Sequence, residues 1–555
     1  MSLSLSAALA LLSPLPIGLA EFNVDQLHLF QQLCGRFKDD LPEIVDNHLD
    51  PLSDAVTRSF AMHLRTSILA VEQLWERLGM ALLQAVHQDC HTRYYPDHYV
   101  HRPSDNDAMR VYYDKWPPFV AAMKHAYMDL EMTRFIESIY LFAQASAEHI
   151  ARIYNRCFPA PETRSPDDPS LLSAEAVMHG FFLHALLRDS YAHGDPLKLP
   201  HHGLQETRME QAMHDRNVHM SGTGQPLWAH ACDDCSKIKE DEQGRKYRFT
   251  GCVIDGITVG HPCCSFTNED QGPCREPLRQ SKDRYCPSHL HLMQKCAFRD
   301  CSKPRQQGFQ TCTSKEHRAT EEALPKPGAS IFQLKDRLHL TSEAAAARKA
   351  DKKSGQHGAN KKGKAVFRRT WTHNEQLAVR PCGIVISRAT MYQAEAVSGV
   401  RDFIMATFPE NVPGSHPSAL FYDDNCVLEK FIRNCGPQIQ RYFARILRPV
   451  DVFHFARKHK LTDVFCQQNC NPASFPELTT PDGKWVFNSS AAEQANVWFG
   501  KYATIVREMS HYRYNFFLDE MILLHNQLVE EDLHAKGKRP HIVPQADLYH
   551  PELRS

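Results

Sequence analysis

The chain has almost no net charge: 64 Lys and Arg against 65 Asp and Glu leave −1 over 555 residues. A nucleic-acid partner would therefore have to be met by a local basic patch and not by the whole molecule. Long apolar runs are also missing. No segment reaches the roughly 18 uninterrupted apolar residues of a membrane span, so no membrane partner is expected. The apolar stretch from Ala7 to Ala20 has no Lys or Arg before it and is interrupted by Pro14 and Pro16, against the pattern of a signal peptide. The expectation is a soluble, intracellular protein, with secretion as the alternative. Cysteine is sparse outside one block: ten of the eighteen fall between Cys232 and Cys312. Concentration beside histidines favours metal binding in a reducing compartment over a disulfide framework.

That block carries the densest chemistry. Cys296, Cys301, Cys312 and His317 offer three thiolates and one imidazole, a complete donor set for tetrahedral zinc. Cys264, Cys274, Cys286 and His289 offer a second. Cys232 and Cys235 form half of a third, for which His261, Cys263 or the distant Cys466 and Cys470 are open as partners. The cofactor expected is structural Zn2+ at two or three sites. His454, His459, Cys466 and Cys470 also have donor spacing compatible with zinc, against an equal reading as residues without metal.

Upstream, residues 21–88 read as helical, with one apolar stripe through Leu64, Ile68, Val71, Trp75, Leu78 and Leu82. His87-x2-Cys90 and the aromatic stretch to His101 read as a loop or hairpin before they read as half a metal site. Helices are expected around 131–155 and 174–191, with a boundary at the polar run 220–224. From Tyr247 to Gly260 two β-rich runs broken at Asp255-Gly256 suggest a hairpin. Residues 343–369 hold Lys352, Lys353, Lys361, Lys362, Arg368 and Arg369 against the single acid Asp351 beyond Arg348, a flexible basic linker suited to phosphate contact or nuclear import. A compact α/β region follows: strands at Cys382–Ser387 and Ser418–Tyr422, helices at Ala396–Thr407 and Glu429–Leu447 with a break at Gly436-Pro437, a short β-like piece at Asp451–Phe455, and a long helical pattern over Ser490–Leu528. An acid at a strand end (Asp423) and another on a later helix (Glu493) could hold divalent cations for phosphoryl transfer.

Three stretches then resemble fungal proteins of the Kyakuja–Dileera–Zisupton (KDZ) transposase group and the CxC-type cysteine clusters that accompany them. They are Gly224–Cys235 with Asp255–Cys264 and the cluster behind it; Tyr422–Cys426; and Phe453-His454, Lys458-His459 and Cys466 followed by Asn488–Trp498. His87-x2-Cys90 is similar to an N-terminal cluster of the same group, with His in the place of a first Cys. The resemblance implies an RNase H-like fold with a DDE triad, in which Asp423 matches the second acid and Glu493 the third. Asp255 is then the candidate first acid, with the cluster inserted between the second and third strands of the fold.

The fold class expected is α+β multidomain. It has a helical N-terminal region (1–88), a degenerate cysteine-cluster-like and helical region (89–222) and the first strands of an RNase H-like domain (223–262). A zinc-binding insertion (263–322), a basic linker (323–370), the remainder of the domain (371–530) and a tail (531–555) follow. The function implied is DNA strand cleavage and transfer with Mg2+ or Mn2+, in the nucleus, with DNA as partner and oligomerisation left open. A non-catalytic, domesticated DNA- or protein-binding factor is the alternative.

Overall fold

The computed structural model describes residues 171–322 and 365–548, apart from 269–271, 393, 413, 461 and 545–546. It also describes most of 92–158, residues 54–64 and scattered positions between 29 and 75. The basic run from Lys352 to Lys362 and the His87–Cys90 pair lie outside the described residues. So does half of the expected apolar stripe (Ile68, Leu78 and Leu82), while Leu64, Val71 and Trp75 are described and buried. None of the described helices is long and apolar enough to cross a membrane. The chain divides into two compact units, residues 1–219 and 220–555.

In the first unit Thr92–Tyr94 and His98–His101 form the expected hairpin, extended by Met109–Tyr112 and Lys198–Pro200 into an antiparallel sheet. Helix Ala174–His193 is buried along most of its length, starts on the hydroxyl of Ser173 and stops at Gly194 in the left-handed region. The expected helix 131–155 is two helices, Leu130–Ser138 and Ala147–Cys157. A π-helical turn ends between them at Gln144, a non-glycine residue with φ +45°. Two buried hydrogen bonds between histidine and carboxylate close this core. Asp97 accepts from His98 Nδ1 at 2.7 Å, and Glu137 accepts from His184 Nδ1 at 2.7 Å.

The second unit is built on five strands: β1 (Ser236–Glu240), β2 (Lys246–Ile257), β3 (Asn374–Val379), β4 (Val385–Met391) and β5 (Ala419–Tyr422). The expected hairpin at Asp255-Gly256 is instead one continuous strand, β2. Its first half pairs antiparallel with β1, and its second half lies between antiparallel β3 and parallel β5. β3 pairs antiparallel with β4. The glycine is explained by crowding and not by a turn, since a Cβ at Gly256 would overlap the amides of Asn374 and Gln376. The cysteine block thus separates β2 from its antiparallel partner β3.

Strand alternation sorts the sheet into two faces. Cys252, Ile254, Ala378, Ile384, Ile386, Leu420 and Tyr422 share one core with Val400, Phe403 and Ile404 of α1 (Val397–Thr407) and with Leu428 and Ile432 of α2 (Asn425–Arg433). α3 (Pro437–Phe443) follows the predicted break at Gly436-Pro437. The expected β-like piece at Asp451 is α4 (Val452–Lys458), because the Asp451 carboxylate caps the amides of Phe453 and His454. A short α5 (Val464–Asn469) follows. The long helical pattern after Ser490 is broken into α6 (Ala491–Phe499), two short turns, and α7 (His511–Ala535).

A buried charge cluster locks α7 to the sheet. Arg388 of β4 bonds Glu375 of β3 at 2.5 Å and Asp519 of α7 at 2.9 Å, and the Tyr514 hydroxyl donates to the other oxygen of Glu375 at 2.7 Å. Glu375 is fully buried, so removing its cation leaves an uncompensated charge. Arg388→Met should destabilise the unit by about 3–5 kcal/mol, measured as a fall in the urea midpoint.

Candidate metal centres and an acidic strand end

The block between Cys263 and Glu322 has little regular structure and almost no apolar core of its own, so its loops need another anchor. Cys264, Cys274, Cys286 and His289 come together with all donor atoms within 4.8 Å of one another, and so do Cys296, Cys301, Cys312 and His317. In the first group His289 Nδ1 lies 3.1 Å from Cys286 Sγ and 3.7 Å from Cys264 Sγ, and Cys274 Sγ is 3.9 Å from Cys286 Sγ. In the second, His317 Nδ1 lies 3.4 Å from the sulfurs of both Cys296 and Cys312, and Cys301 Sγ is 3.9 Å from Cys312 Sγ. Three sulfurs and one imidazole nitrogen converging without disulfides is the donor chemistry of structural zinc.

The two groups are copies of one design that spacing alone does not reveal. Each opens Cys-x-aromatic, and the histidine stacks on that aromatic ring: His289 on Phe266 at 3.9 Å, His317 on Phe298 at 3.8 Å. The same backbone bonds recur. Cys274 N donates to Phe266 O and Cys301 N to Phe298 O; Ser265 N donates to Arg284 O and Ala297 N to Gln310 O. In each copy that last carbonyl belongs to the residue two before the third cysteine. The second copy is braced further by Glu321, whose carboxylate accepts from Gln310 N, Thr311 N and the Thr311 hydroxyl.

Cys232 and Cys235 keep the neighbouring imidazole of their knuckle, His230, and acquire one partner that the sequence did not suggest, Cys382. Their sulfurs, 3.6 Å apart, meet His230 and Cys382, again with all donors within 4.8 Å. Cys382 reaches them from the tight turn between β3 and β4, where Gly383 takes φ +100°. His230 is buried, and its ring nitrogens find no hydrogen-bond partner outside this sulfur group. Hydrogen bonding to Cys235 and Cys382 holds the Cys232 thiol well below its usual range. Of the four partners considered from sequence, His261 donates to Met509 O, Cys263 sits in the short pairing with Thr370, and Cys466 and Cys470 lie in another cluster.

The acids gather elsewhere. Ile254 of β2 and Tyr422 of β5 are paired in parallel register, so Asp255 and Asp423 follow side by side at the same sheet end. Asp255 accepts from Gly256 N at 2.8 Å and from Asn496 Nδ2 of α6 at 2.9 Å. Burial, with repulsion from Asp423 and Glu395, pushes its carboxyl up to about 6. Burial, Asp424 and Glu395 raise Asp423 in the same way, and Lys458 Nζ, 3.9 Å away, partly offsets them. Sequence reasoning missed Glu395. Its oxygens accept from the Tyr422 hydroxyl at 2.7 Å and Asn374 Nδ2 at 2.8 Å. Glu493 stands on α6 one turn before Asn496 and is half-buried. Asp255, Asp423 and Glu493 are not among the donor groups closed to within 4.8 Å.

Of the two basic residues that are described, Arg368 is exposed, while Arg369 bonds Ser281 O at 2.9 Å and pairs with Glu508 at 3.4 Å. Its guanidinium also lies over the Trp371 ring.

Comparison with known families places two stretches. Residues 253–323 match the model of a CxC6 like cysteine cluster associated with KDZ transposases, and residues 77–158 match that of a CxC5 like cysteine cluster associated with the same transposases. The first match spans both repeated centres and Asp255. The second contains only Cys90 and Cys157, and no metal-donor group forms among its described residues. A search of curated proteins found no match, and neither did a search of solved structures.

Replacing Cys382 by Ala should lower bound zinc by about one ion per chain, read by plasma mass spectrometry. The exposed Cys157→Ala should leave the zinc content unchanged.

Proposed function

We propose that this KDZ transposase-associated chain is a zinc-stabilised, DNA-binding protein whose acidic strand end performs DDE-type cleavage and transfer of DNA strands. The observation that carries the reading is the side-by-side placement of Asp255 and Asp423 at one end of parallel strands, with both carboxyls raised by burial and by neighbouring acids. Two crowded carboxylates gain from a divalent cation that neutralises them, which fits Mg2+ or Mn2+. The strand order β4-β3-β2-β5, antiparallel but for the last pair, fits an RNase H-like sheet in which the cysteine block follows the first strand of that fold, β2, and not the second as expected from sequence.

In this reading Asp255 and Asp423 hold the cation. Bound there, it would polarise the scissile phosphate and favour ionisation of the attacking hydroxyl. Asn496 fixes one oxygen of Asp255 and leaves the other directed by Gly256 N. Glu493, carried by the same helix one turn away, is the third acid in this reading. The repeated zinc centres, with the basic run through Lys352, Lys353, Lys361, Lys362 and Arg368, supply phosphate contacts. Arg369 acts from its place between Ser281, Glu508 and Trp371. A nuclear location follows from a DNA substrate and a basic linker.

One observation favours a second reading. Asp255, Asp423 and Glu493 do not close into one donor group among the described residues, and Lys458 already neutralises part of Asp423. A domesticated, non-catalytic DNA- or protein-binding factor would tolerate both features.

The readings separate in a nicking and strand-transfer assay with Mg2+ on supercoiled DNA. The first expects activity in the wild type and at least a hundredfold loss in Asp423→Ala. Activity that survives the substitution removes the triad assignment. Cation binding should also depend on pH. Because the Asp255 carboxyl titrates near 6, metal must displace a proton below that value. Mn2+ affinity, followed by electron paramagnetic resonance, should rise from pH 5 to pH 7 and then level off. In Asp255→Asn that rise should flatten.

A further inference from the structure

We infer a further zinc site at Cys426, His459 and Cys466, built against the acidic strand end and outside both matched cysteine clusters. The three residues come from separate elements: the first turn of α2, the residue that ends α4, and α5. Their donor atoms nevertheless lie within 4.8 Å of one another. His459 Nδ1 is 3.2 Å from Cys466 Sγ and 3.9 Å from Cys426 Sγ. Both sulfurs are buried, Cys466 completely.

The other face of the same imidazole decides its orientation. His459 Nε2 lies 3.0 Å from the main-chain oxygen of Asp423, and a carbonyl can only accept, so Nε2 carries the proton and Nδ1 presents its lone pair to the thiols. A histidine that offers one nitrogen to sulfurs and donates from the other to a carbonyl has the arrangement of a zinc ligand with its supporting bond. Phe455 stacks on the ring at 13° and holds its plane. Cys470, one turn after Cys466 and fully buried in the same cluster with Val450, is the candidate for the fourth position. On binding, the thiols release their protons to solvent and the ion takes up the thiolates.

His454, weighed from sequence beside these residues, is excluded. Its ring nitrogens are not in the group whose donors close to within 4.8 Å, and its Nδ1 bonds Asp451.

The site ties metal to the chain at Asp423. Zinc fixes the imidazole, the imidazole fixes the Asp423 carbonyl, and the Asp423 side chain leaves from that same residue. The metal assignment does not rest on the transposase reading, because its test measures metal and not strand cleavage.

The experiment uses the full-length chain purified with zinc. Cys466→Ser and His459→Ala should each bind about one zinc fewer than the wild type, while His459→Cys, which restores a donor, should recover it. Unchanged zinc content in folded Cys466→Ser overturns the site. If these variants do not fold, alkylation of the wild type in mild urea decides. Cys426 and Cys466 should react at least tenfold faster once a chelator is added, and equal rates with and without chelator overturn the proposal.

Discussion

Everything in the second unit depends on the pairing of one strand. β2 is long enough to satisfy two sets of neighbours in succession, β1 along its first half and then β3 and β5 together. Its alternation supplies Cys252 and Ile254 to the main core and turns Asp255 to the other face, toward α6. A slip of one residue would exchange these faces, burying the carboxylate in the apolar core and exposing the isoleucine. The register is held by Gly256, which admits the Asn374 and Gln376 amides, and by Gly251, where a Cβ would press on Pro381 and Phe487.

The zinc-like centres and this sheet solve different problems. The cysteine block has too few apolar residues to order itself, with only Cys264, Tyr285 and Cys286 forming a small cluster under Phe266, Leu278 and Leu292. Its order comes from donors that converge and from histidines clamped on aromatic rings. The His230–Cys382 group works in another way. It joins the entrance to β1 with the turn between β3 and β4, so a short knuckle becomes a staple across the sheet.

How much of this was legible depended on distance along the chain. The sets ending at His289 and His317 could be written down as candidates because each is local, but interleaved sites would use the same spacings, and it is the structure that separates them. His230 lies two residues before Cys232 and was legible as its neighbour, but Cys382 was not, since a cysteine opening a strand looks like a core residue and only the sheet brings it to Cys232. The Asp-Gly pair misled for a chemical reason: that dipeptide favours a turn in isolation, and here tertiary pairing overrides it. Nothing in the sequence marks Glu375 as buried, and the structure sets it against Arg388. Asp451 reads as a strand residue until it is seen to cap α4. Glu395 had no sequence signal at all, because its significance lies wholly in the two strands it reaches.

The insertion also fixes an order of events during synthesis. β1 and β2 leave the ribosome as a hairpin, but the second half of β2 has no partner until the chain has passed through the cysteine block and the linker to Asn374. For that interval the edge that will receive β3 is open, an invitation to pairing with other chains. The two repeated centres are complete before β3 appears, and metal uptake there would draw the intervening chain into compact loops and shorten the segment that must close. Zinc supply during translation would then govern the yield of soluble protein before any finished molecule exists.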